Sequence, residues 1–376
     1  MMITVEIKGV DYQGIVIGEL NINMAHASSS FNLTASAKPN SSYPFRANDS
    51  VRIKVDGIVR LTGYIDAVIP RYNDTQHSIT IIGRDQTADF IDSSLPDGIQ
   101  FEGPISLKVM FETILRQMGL SHIGVIDTTT IKDFSEDEFL SSSVGMNAFE
   151  FIESYARKRQ SLIGTDGSGN FVIQKGSKAS LKSQLINRIG NPDGQNNIKS
   201  GSGNYDLSSR YNKYIFHSQQ NPSAKAFSFA ETTITEPISS VEIDDSIRSG
   251  RTLIQYLEQA GDADDCTERA KWEANYRRIK SQQPIILISG NSGVDDEMYQ
   301  VNRQIYILDE FLDLDAKMLI TGLKFINAVS SPEGGVGSTT TFTLAPSDAY
   351  TVQTRETQQK KAKTKTGNKF LNLVGG

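Results

Sequence analysis

A β-rich pattern occurs twice in this chain, once near each end. The first copy leads from Leu61-Thr62-Gly63 into a strand that closes at Asp85, and the second leads from Ile320-Thr321-Gly322 into a strand that closes at Asp348. Apolar and polar residues alternate in both copies, which is typical of half-buried β-strands. We therefore predict two similar small β-barrels. Because three such chains could form a ring of six units, the repeat favours an assembly component over an enzyme.

The composition is that of a soluble globular protein. The 376 residues give room for two or three domains, and 38% hydrophobic residues suffice for real cores. No stretch is apolar over the ~18 residues that a transmembrane helix needs, so we expect no stable membrane insertion. Residues 1–8 have the pattern of a strand and not of a signal peptide. The single cysteine, Cys266, excludes an internal disulfide framework and suits assembly in a reducing cytoplasm.

Basic charge is concentrated at the C-terminal end. Residues 355–376 hold six basic residues and one acidic residue, a net charge of +5. Because the whole chain carries −6, the remainder carries −11. An acidic body argues against a sequence-specific nucleic-acid-binding domain, which would present basic residues across a folded face. The tail fits either a nonspecific polyanion contact or a segment that docks on a protein, and the apolar run at 370–374 favours the protein.

Changes of hydrophobic period divide the chain into segments, and the predicted fold class is α+β, mainly β, with two similar small β-barrels, the second discontinuous. Helices are expected over 106–118, 147–158 and 262–280, where caps and apolar stripes coincide. The predicted segments are a first β-barrel (1–95), an α+β module (96–180), the first part of the second β-barrel (181–235), a helical insert (236–283), the remainder of the second β-barrel (284–350) and a basic flexible tail (351–376).

No catalytic, cofactor-binding or metal-binding residue is predicted. The Gly-rich run 334–339 lacks the lysine of a phosphate-binding loop and predicts a hairpin loop. The segment 166–170 begins like a calcium loop but lacks its later ligands, so it predicts a β-turn. The four histidines are too scattered in sequence to suggest a metal site: His26, His77, His122 and His217.

Two groups of acids and one aromatic residue allow more than one interpretation. Asp262, Asp264 and Asp265 fit the start of a helix, or a carboxylate cluster. Trp272 fits a packed aromatic residue, or a ligand platform. A second acidic group fits a solvated turn and strand, an acidic site, or the wall of a channel that must not bind DNA: Asp309, Glu310, Asp313 and Asp315.

Several pieces of the chain, in order and spacing, resemble the baseplate hub proteins of contractile-tailed bacteriophages, most closely the Mu-like type. The chain is also similar to phage late-control D proteins and to the hub part of type VI secretion spike proteins. The pieces that carry the resemblance are Phe45–Val51 leading to Leu61–Asp66, Gly83-Arg84-Asp85 with Ala88–Ser94, Asn147–Glu153, Tyr205–Tyr211 and Thr321-Gly322.

The resemblance implies a homotrimer in which each subunit supplies two barrels, so that the ring has three true and six approximate repeats. Such a hub joins the hexameric tail tube to a trimeric tail spike, beside the baseplate wedge proteins, and leaves a channel for DNA. It implies no cofactor, and a place in the virion baseplate after assembly in the host bacterial cytoplasm. Larger hub proteins carry a fused cell-wall hydrolase or spike region that this chain lacks, which implies a separate spike protein.

The alternative function is a tail-associated protein that processes or binds peptidoglycan or other glycans. It would use Asp309, Glu310 or the acids at 262–265 as its carboxylates, or Trp272 as a sugar platform.

Overall fold

The computed structural model describes residues 3–12, 15–36, 45–74, 77–96, 98–136, 138, 140–218, 238–257, 261–329 and 336–351. Of these described residues, 46% lie in strands and 15% in helices, which confirms the predicted class of a mainly β, α+β fold. None of the helices in these ranges is long and apolar enough to cross a membrane.

The elements follow in chain order. The first part of the chain contains β1 (Ile3–Ile7), β2 (Val10–Tyr12), β3 (Ile15–Asn23), β4 (Ser30–Ser36), β5 (Ser50–Val55), β6 (Ile58–Tyr72), β7 (His77–Asp85), α1 (Ala88–Ile91), β8 (Gln100–Phe101), α2 (Leu107–Gln117), β9 (Val125–Asp127), β10 (Leu140–Ser141), α3 (Ala148–Lys158), β11 (Leu162–Thr165) and β12 (Phe171–Gln174). The second part contains β13 (Ser180–Asn187), β14 (Ile198–Ser202), β15 (Lys213–His217), β16 (Ser239–Ile243), β17 (Thr252–Tyr256), α4 (Ala263–Lys280), β18 (Ile285–Ser289), β19 (Gln304–Asp309), β20 (Leu314–Val329) and β21 (Val336–Pro346).

Two β units in the chain have the same strand order. The first unit runs β1-β5-β6-β7-β4-β3 across the sheet, with β2 added outside β1, and the second runs β13-β19-β20-β21-β18-β14. Each neighbouring pair of the first unit is antiparallel, and so is its counterpart in the second, except that β13 runs parallel to β19. The predicted repeat is therefore present in the fold, and the second copy is discontinuous as expected.

The two copies of the repeat align differently in the structure than the two Thr-Gly steps in the sequence indicate. Ile65 exchanges backbone hydrogen bonds with Asn48 and Asp49, and Ile320 exchanges the same bonds with Asn302 and Arg303. Ile65 therefore corresponds to Ile320. In this alignment Thr62 and Thr321 do not coincide, because Thr62 lies three residues before Ile65 and Thr321 lies one residue after Ile320. Counted along β7 and β21 from these residues, the counterpart of Asp85 is Pro346 and not Asp348.

The two units join in a single sheet. β3 of the first unit pairs antiparallel with β20 of the second, with Leu20 opposite Phe325. The hydrogen-bonded pairs of the described residues form one 13-stranded sheet, and among them no ladder closes either unit into a barrel. The largest buried apolar cluster accordingly contains residues of both units, with Leu33 and Phe342 among them.

The α+β module and the insert each have their own core. Phe90 of α1 packs against Phe111 and Phe171 in the module, so the first unit ends at Asp85 and not at residue 95. The strand β15, which the sequence placed in the second unit, pairs with β16 and β17 instead and covers α4. The second unit therefore begins with β13 and β14, and the insert occupies the whole connection from β14 to β18.

The three predicted helices are confirmed. Ser106 and Asn147 cap α2 and α3 by accepting hydrogen bonds from the backbone N–H groups of Val109 and Glu150. At α4 the capping is reciprocal, because Asp262 accepts from the N–H of Asp265 and Asp265 accepts from the N–H of Asp262.

Candidate assembly interface

The longest strand of the first unit has one edge that other described strands pair with only in part. β6 pairs with β7 along Gly63–Tyr72, but β5 covers its other edge only as far as Tyr64. Beyond Ile65, the described residues provide no backbone partner for that edge up to Tyr72, whose side chain is 83% exposed. An unpaired edge of this length is a template for strand addition.

A second unpaired edge lies at the far end of the sheet. β14 pairs with β18 on one side, and no other described strand pairs with it. Its residues from Lys199 to Ser202 are exposed, and the chain beyond stays exposed through Tyr205. The sheet therefore ends at β14 in an edge that can accept another strand.

The insert presents an exposed apolar sheet face. Ile215 lies between Val241 and Ile254 in one cross-strand row, and the side chains of Val241 and Ile254 are 48% and 60% exposed. The opposite face buries Tyr214 and Phe216 against α4. An exposed apolar row of this kind is typical of a protein contact surface.

A partly buried cation ties the first unit to the second. The guanidinium of Arg60 donates to the carbonyl oxygen of Tyr299 and lies 5.3 Å from the centre of the Phe325 ring. Burial lowers the pKa of Arg60 to about 10, so it stays charged at neutral pH. This contact fixes the orientation of the two units in addition to the β3–β20 ladder.

The acidic residues considered as catalytic serve the backbone. Asp309 is 1% exposed, so the predicted solvated position is wrong for it, and its carboxylate accepts from the N–H groups of Phe311 and Leu312. Glu310 accepts from the N–H of Ile189, and Asp315 accepts from the hydroxyl of Tyr306. These bonds hold the turn between β19 and β20, the position that a structural role predicts.

The other residues singled out in the sequence also have structural positions. Trp272 stacks on Tyr276 with ring centres 4.8 Å apart, as expected of a packed aromatic residue. Asp166 accepts from the N–H groups of Ser168 and Asn170 in the predicted turn. Within the described part of the chain, no three or more His, Cys, Asp or Glu side chains are placed to hold a metal ion. Residues 330–335 and 352–376 lie outside the described residues, and with them Gly334 and Gly335 of the Gly-rich run and nearly all of the basic tail. The rest of the run, residues 336–339, begins β21, so the prediction of a loop is wrong for these four residues.

Sequence reasoning missed both unpaired edges and the junction between β3 and β20. A usable signal was present ahead of β5 and β19. Asn48-Asp49-Ser50-Val51 and Asn302-Arg303-Gln304-Ile305 share an asparagine followed by polar residues and a β-branched residue. Both asparagines have a positive φ, 72° and 59°, which asparagine tolerates better than most residues. Aligning these two segments would have given the correct register of the repeat.

Known proteins with a similar sequence or fold include phage tail and baseplate proteins. Residues 2–85, the first unit, match the family model described as Mu phage baseplate assembly protein GpP-like, N-terminal. The 43 kDa tail protein of prophage MuSo2 from Shewanella oneidensis is 23% identical with a TM-score of 0.78, over 93% of this chain and 99% of that chain. A tail protein from Neisseria meningitidis MC58 is 14% identical with a TM-score of 0.76, over 93% of this chain and 97% of that chain.

A more distant structure shares the fold as well. A type VI secretion component of E. coli, described as structurally similar to the bacteriophage T4 tail proteins gp27 and gp5, has a TM-score of 0.54 at 10% identity, over 91% of this chain and 76% of that chain. No curated protein matches the sequence significantly. The resemblance to Mu-like baseplate proteins is confirmed by the family match of the first unit and by the fold of the whole chain.

Proposed function

We propose that the protein is a structural hub of a phage tail baseplate, a trimeric ring that adapts a hexameric tail tube to a trimeric spike and leaves a channel for DNA. The observation that carries the proposal is the repeat of one strand order within a chain that has the fold of phage tail proteins. Three chains with two such units each give six similar units, the number that a hexameric tube requires.

Side-chain contacts support the inference that each unit curls into a small barrel. In the second unit, Asn197 links the two outer strands: its N–H donates to the carbonyl of Ile186 at 3.0 Å, and its side chain accepts from the N–H of Ile186 at 2.8 Å and donates to Gln184 at 2.7 Å. In the first unit, the side chain of Ile3 packs against Gly18, which brings β1 to β3. Both contacts link the two ends of a unit's strand order, as a small barrel would require.

The remaining features suit a structural role. Asp309 and Glu310 accept backbone hydrogen bonds at the turn between β19 and β20, which supports the proposal of a hub without a catalytic residue, cofactor or metal. The exposed apolar face of the insert offers a surface for neighbouring baseplate wedge proteins. The tail from residue 352 onwards would bind the spike or tube, with residues 370–374 as its apolar anchor. The hub would assemble in the host cytoplasm and remain in the virion.

Affinity capture with tail tube and tail spike proteins of the same phage tests this role. The tagged full chain should retain both partners, whereas a variant ending at Thr351 should keep the ring but release the partner that the tail binds. Retention of neither partner by the full chain would contradict the proposal.

Peptidoglycan zymography tests the alternative enzymatic function. The full chain should clear no peptidoglycan. Clearance that disappears in Asp309→Asn, a change that keeps the side-chain size, would instead make the protein a hydrolase.

A further inference from the structure

We propose that β14 of one subunit pairs antiparallel with the unpaired edge of β6 in the next subunit, and that this strand addition is the junction between subunits in the ring. The inference rests on the proposed function, because it names the contact that would close the trimer. Its partner is a second copy of this chain.

The junction inside the chain supplies the template. β20 pairs with β19 along Leu314–Leu319 and with β3 along Gly322–Ala328, both on the same edge, because β21 occupies the other. One strand of the second unit thus receives first a strand of its own unit and then a strand of the other unit. The contact is a regular ladder with Gly18 opposite Asn327 and Asn23 opposite Gly322.

The corresponding edge in the first unit has no such partner among the described residues. Because Ile65 corresponds to Ile320, the segment Ala67–Tyr72 of β6 corresponds to Gly322–Asn327 of β20. β5 covers the beginning of β6 as β19 covers the beginning of β20, and the pairing stops at the same point. Among the described residues, the edge that β3 fills in the second unit is therefore unfilled in the first.

β14 is the strand that matches β3. Both lie at the end of their unit's strand order, and both contain a bulge, between Ile15 and Ile17 in β3 and between Ile198 and Ser200 in β14. Counted from these bulges, Gly18 corresponds to Gly201. At both positions an apolar side chain of the same unit packs where a larger residue would place its Cβ. A Cβ built on Gly201 would lie 3.0 Å from the Cδ1 of Leu312. Since β14 lies on the exposed edge of the same subunit, it is available to a neighbour.

The correspondence fixes the register of the junction. Gly201 should lie opposite Tyr72, Ser202 opposite Arg71, and Tyr205 opposite Val68 of the neighbouring subunit. Pro70 has no N–H, so the ladder would have one donor fewer than a regular pair, and the same proline makes the edge of an unassembled subunit a poorer template for wrong partners. A ring of six units would then alternate β3–β20 junctions within chains and β14–β6 junctions between chains.

Engineered disulfides test the junction in the full-length protein. In an antiparallel pair, opposed Cβ atoms lie roughly 4.5–5.5 Å apart, close enough to cross-link after a small adjustment. Arg71→Cys together with Ser202→Cys should form a covalent trimer on oxidation, seen on a non-reducing gel, because each subunit contributes both partners. Co-expressed single variants should give covalent dimers and no larger species. The native Cys266 is buried and does not compete.

The matched control is Tyr72→Cys with Ser202→Cys. A shift of one residue turns a side chain to the opposite face of the strand, so this pair should not cross-link. A trimer by light scattering in which neither pair cross-links, or both cross-link equally, would overturn the junction and leave the hub proposal standing. A monomer by light scattering would overturn both.

Discussion

Ile65 and Ile320 occupy the same position in two copies of one fold. Each accepts a hydrogen bond from an asparagine of positive φ, from Asn48 at 2.7 Å and from Asn302 at 2.8 Å, and each donates to the residue that follows that asparagine. Each also follows the point at which one edge of a long strand stops pairing within its own unit, the edge that β5 covers in β6 and β19 covers in β20. From this point onwards, β20 receives a strand of the other unit and β6 receives none from the described residues, which is the asymmetry that a ring of three chains would use.

The two asparagines should respond differently to the same substitution. Glycine accepts a positive φ without strain, so Asn48→Gly should change the free energy of unfolding by less than about 0.5 kcal/mol. Asn302→Gly should cost about 2 kcal/mol, because the Asn302 side chain donates to Gln174 and Lys175 and accepts from Ser177. Urea unfolding of the two variants measures the difference, and equal costs would show that the side-chain bonds of Asn302 contribute nothing.

Asn197 should hold β13 to β14. Asn197→Ala removes both side-chain bonds, and the expected cost is about 1 kcal/mol because the site is exposed. Hydrogen exchange should accelerate at the amide of Ile186, which loses its acceptor, while amides of the first unit keep their protection. Gln195→Ala, at an exposed neighbouring position, is the control and should leave both unchanged. Unaltered exchange at Ile186 in Asn197→Ala would argue against closure of the second unit through this residue.

The ion pair in the insert should make the stability of the insert depend on pH in the acidic range. Arg210 is 3% exposed and donates to Asp244 at 2.5 Å. Burial raises the pKa of Asp244, but hydrogen bonds from Ser246 and Arg210 outweigh burial and hold it below the ordinary value of 3.8. The stabilisation is therefore present above pH 3.8 and is lost as the pH falls below that value.

Asp244→Asn tests this dependence. It should lower the local unfolding free energy of the insert by about 2 kcal/mol at neutral pH, less than for a fully buried pair because Asp244 keeps some exposure. The gap to the wild type, followed by hydrogen exchange in β15–β17, should narrow as the pH falls below 3.8. A gap that stays constant with pH would mean that the carboxylate charge is not what stabilises the insert.

The aliphatic part of the Arg60 side chain should contribute more to the stability of the contact between the units than its guanidinium group does. Arg60→Met keeps an unbranched side chain over Phe325 and removes a partly buried charge, so the expected cost is below about 1 kcal/mol. Arg60→Ala should cost about 2 kcal/mol, because it also leaves a cavity between the units. Equal large losses in thermal unfolding experiments would instead show that the guanidinium bond to Tyr299 dominates.

Local patterns predicted local structure well. Ser106, Asn147 and Asp262 were recognisable as helix caps because a cap acts within one turn of its own helix. The repeat was recognisable because both copies keep the alternation of apolar and polar residues although their sequences differ. The residue-by-residue alignment of the two copies was not recognisable. Thr62-Gly63 and Thr321-Gly322 look alike in sequence, whereas the true correspondence depends on hydrogen bonds from Asn48 and Asn302.

The assignment of β15 failed for a related reason. Its alternating pattern suits any half-buried strand, and only tertiary packing against α4 decides which sheet it joins. The unpaired edges of β6 and β14 could not be predicted from sequence at all. Whether a strand edge is paired depends on where the other strands lie in the fold, and not on the residues of the strand itself.

Light scattering with mass determination tests the central claim most directly. Three chains of 41.4 kDa give about 124 kDa, and the account predicts this mass over a wide range of protein concentration. A mass of about 41 kDa across the same range would contradict it, because a single chain supplies two units and cannot form a ring of six.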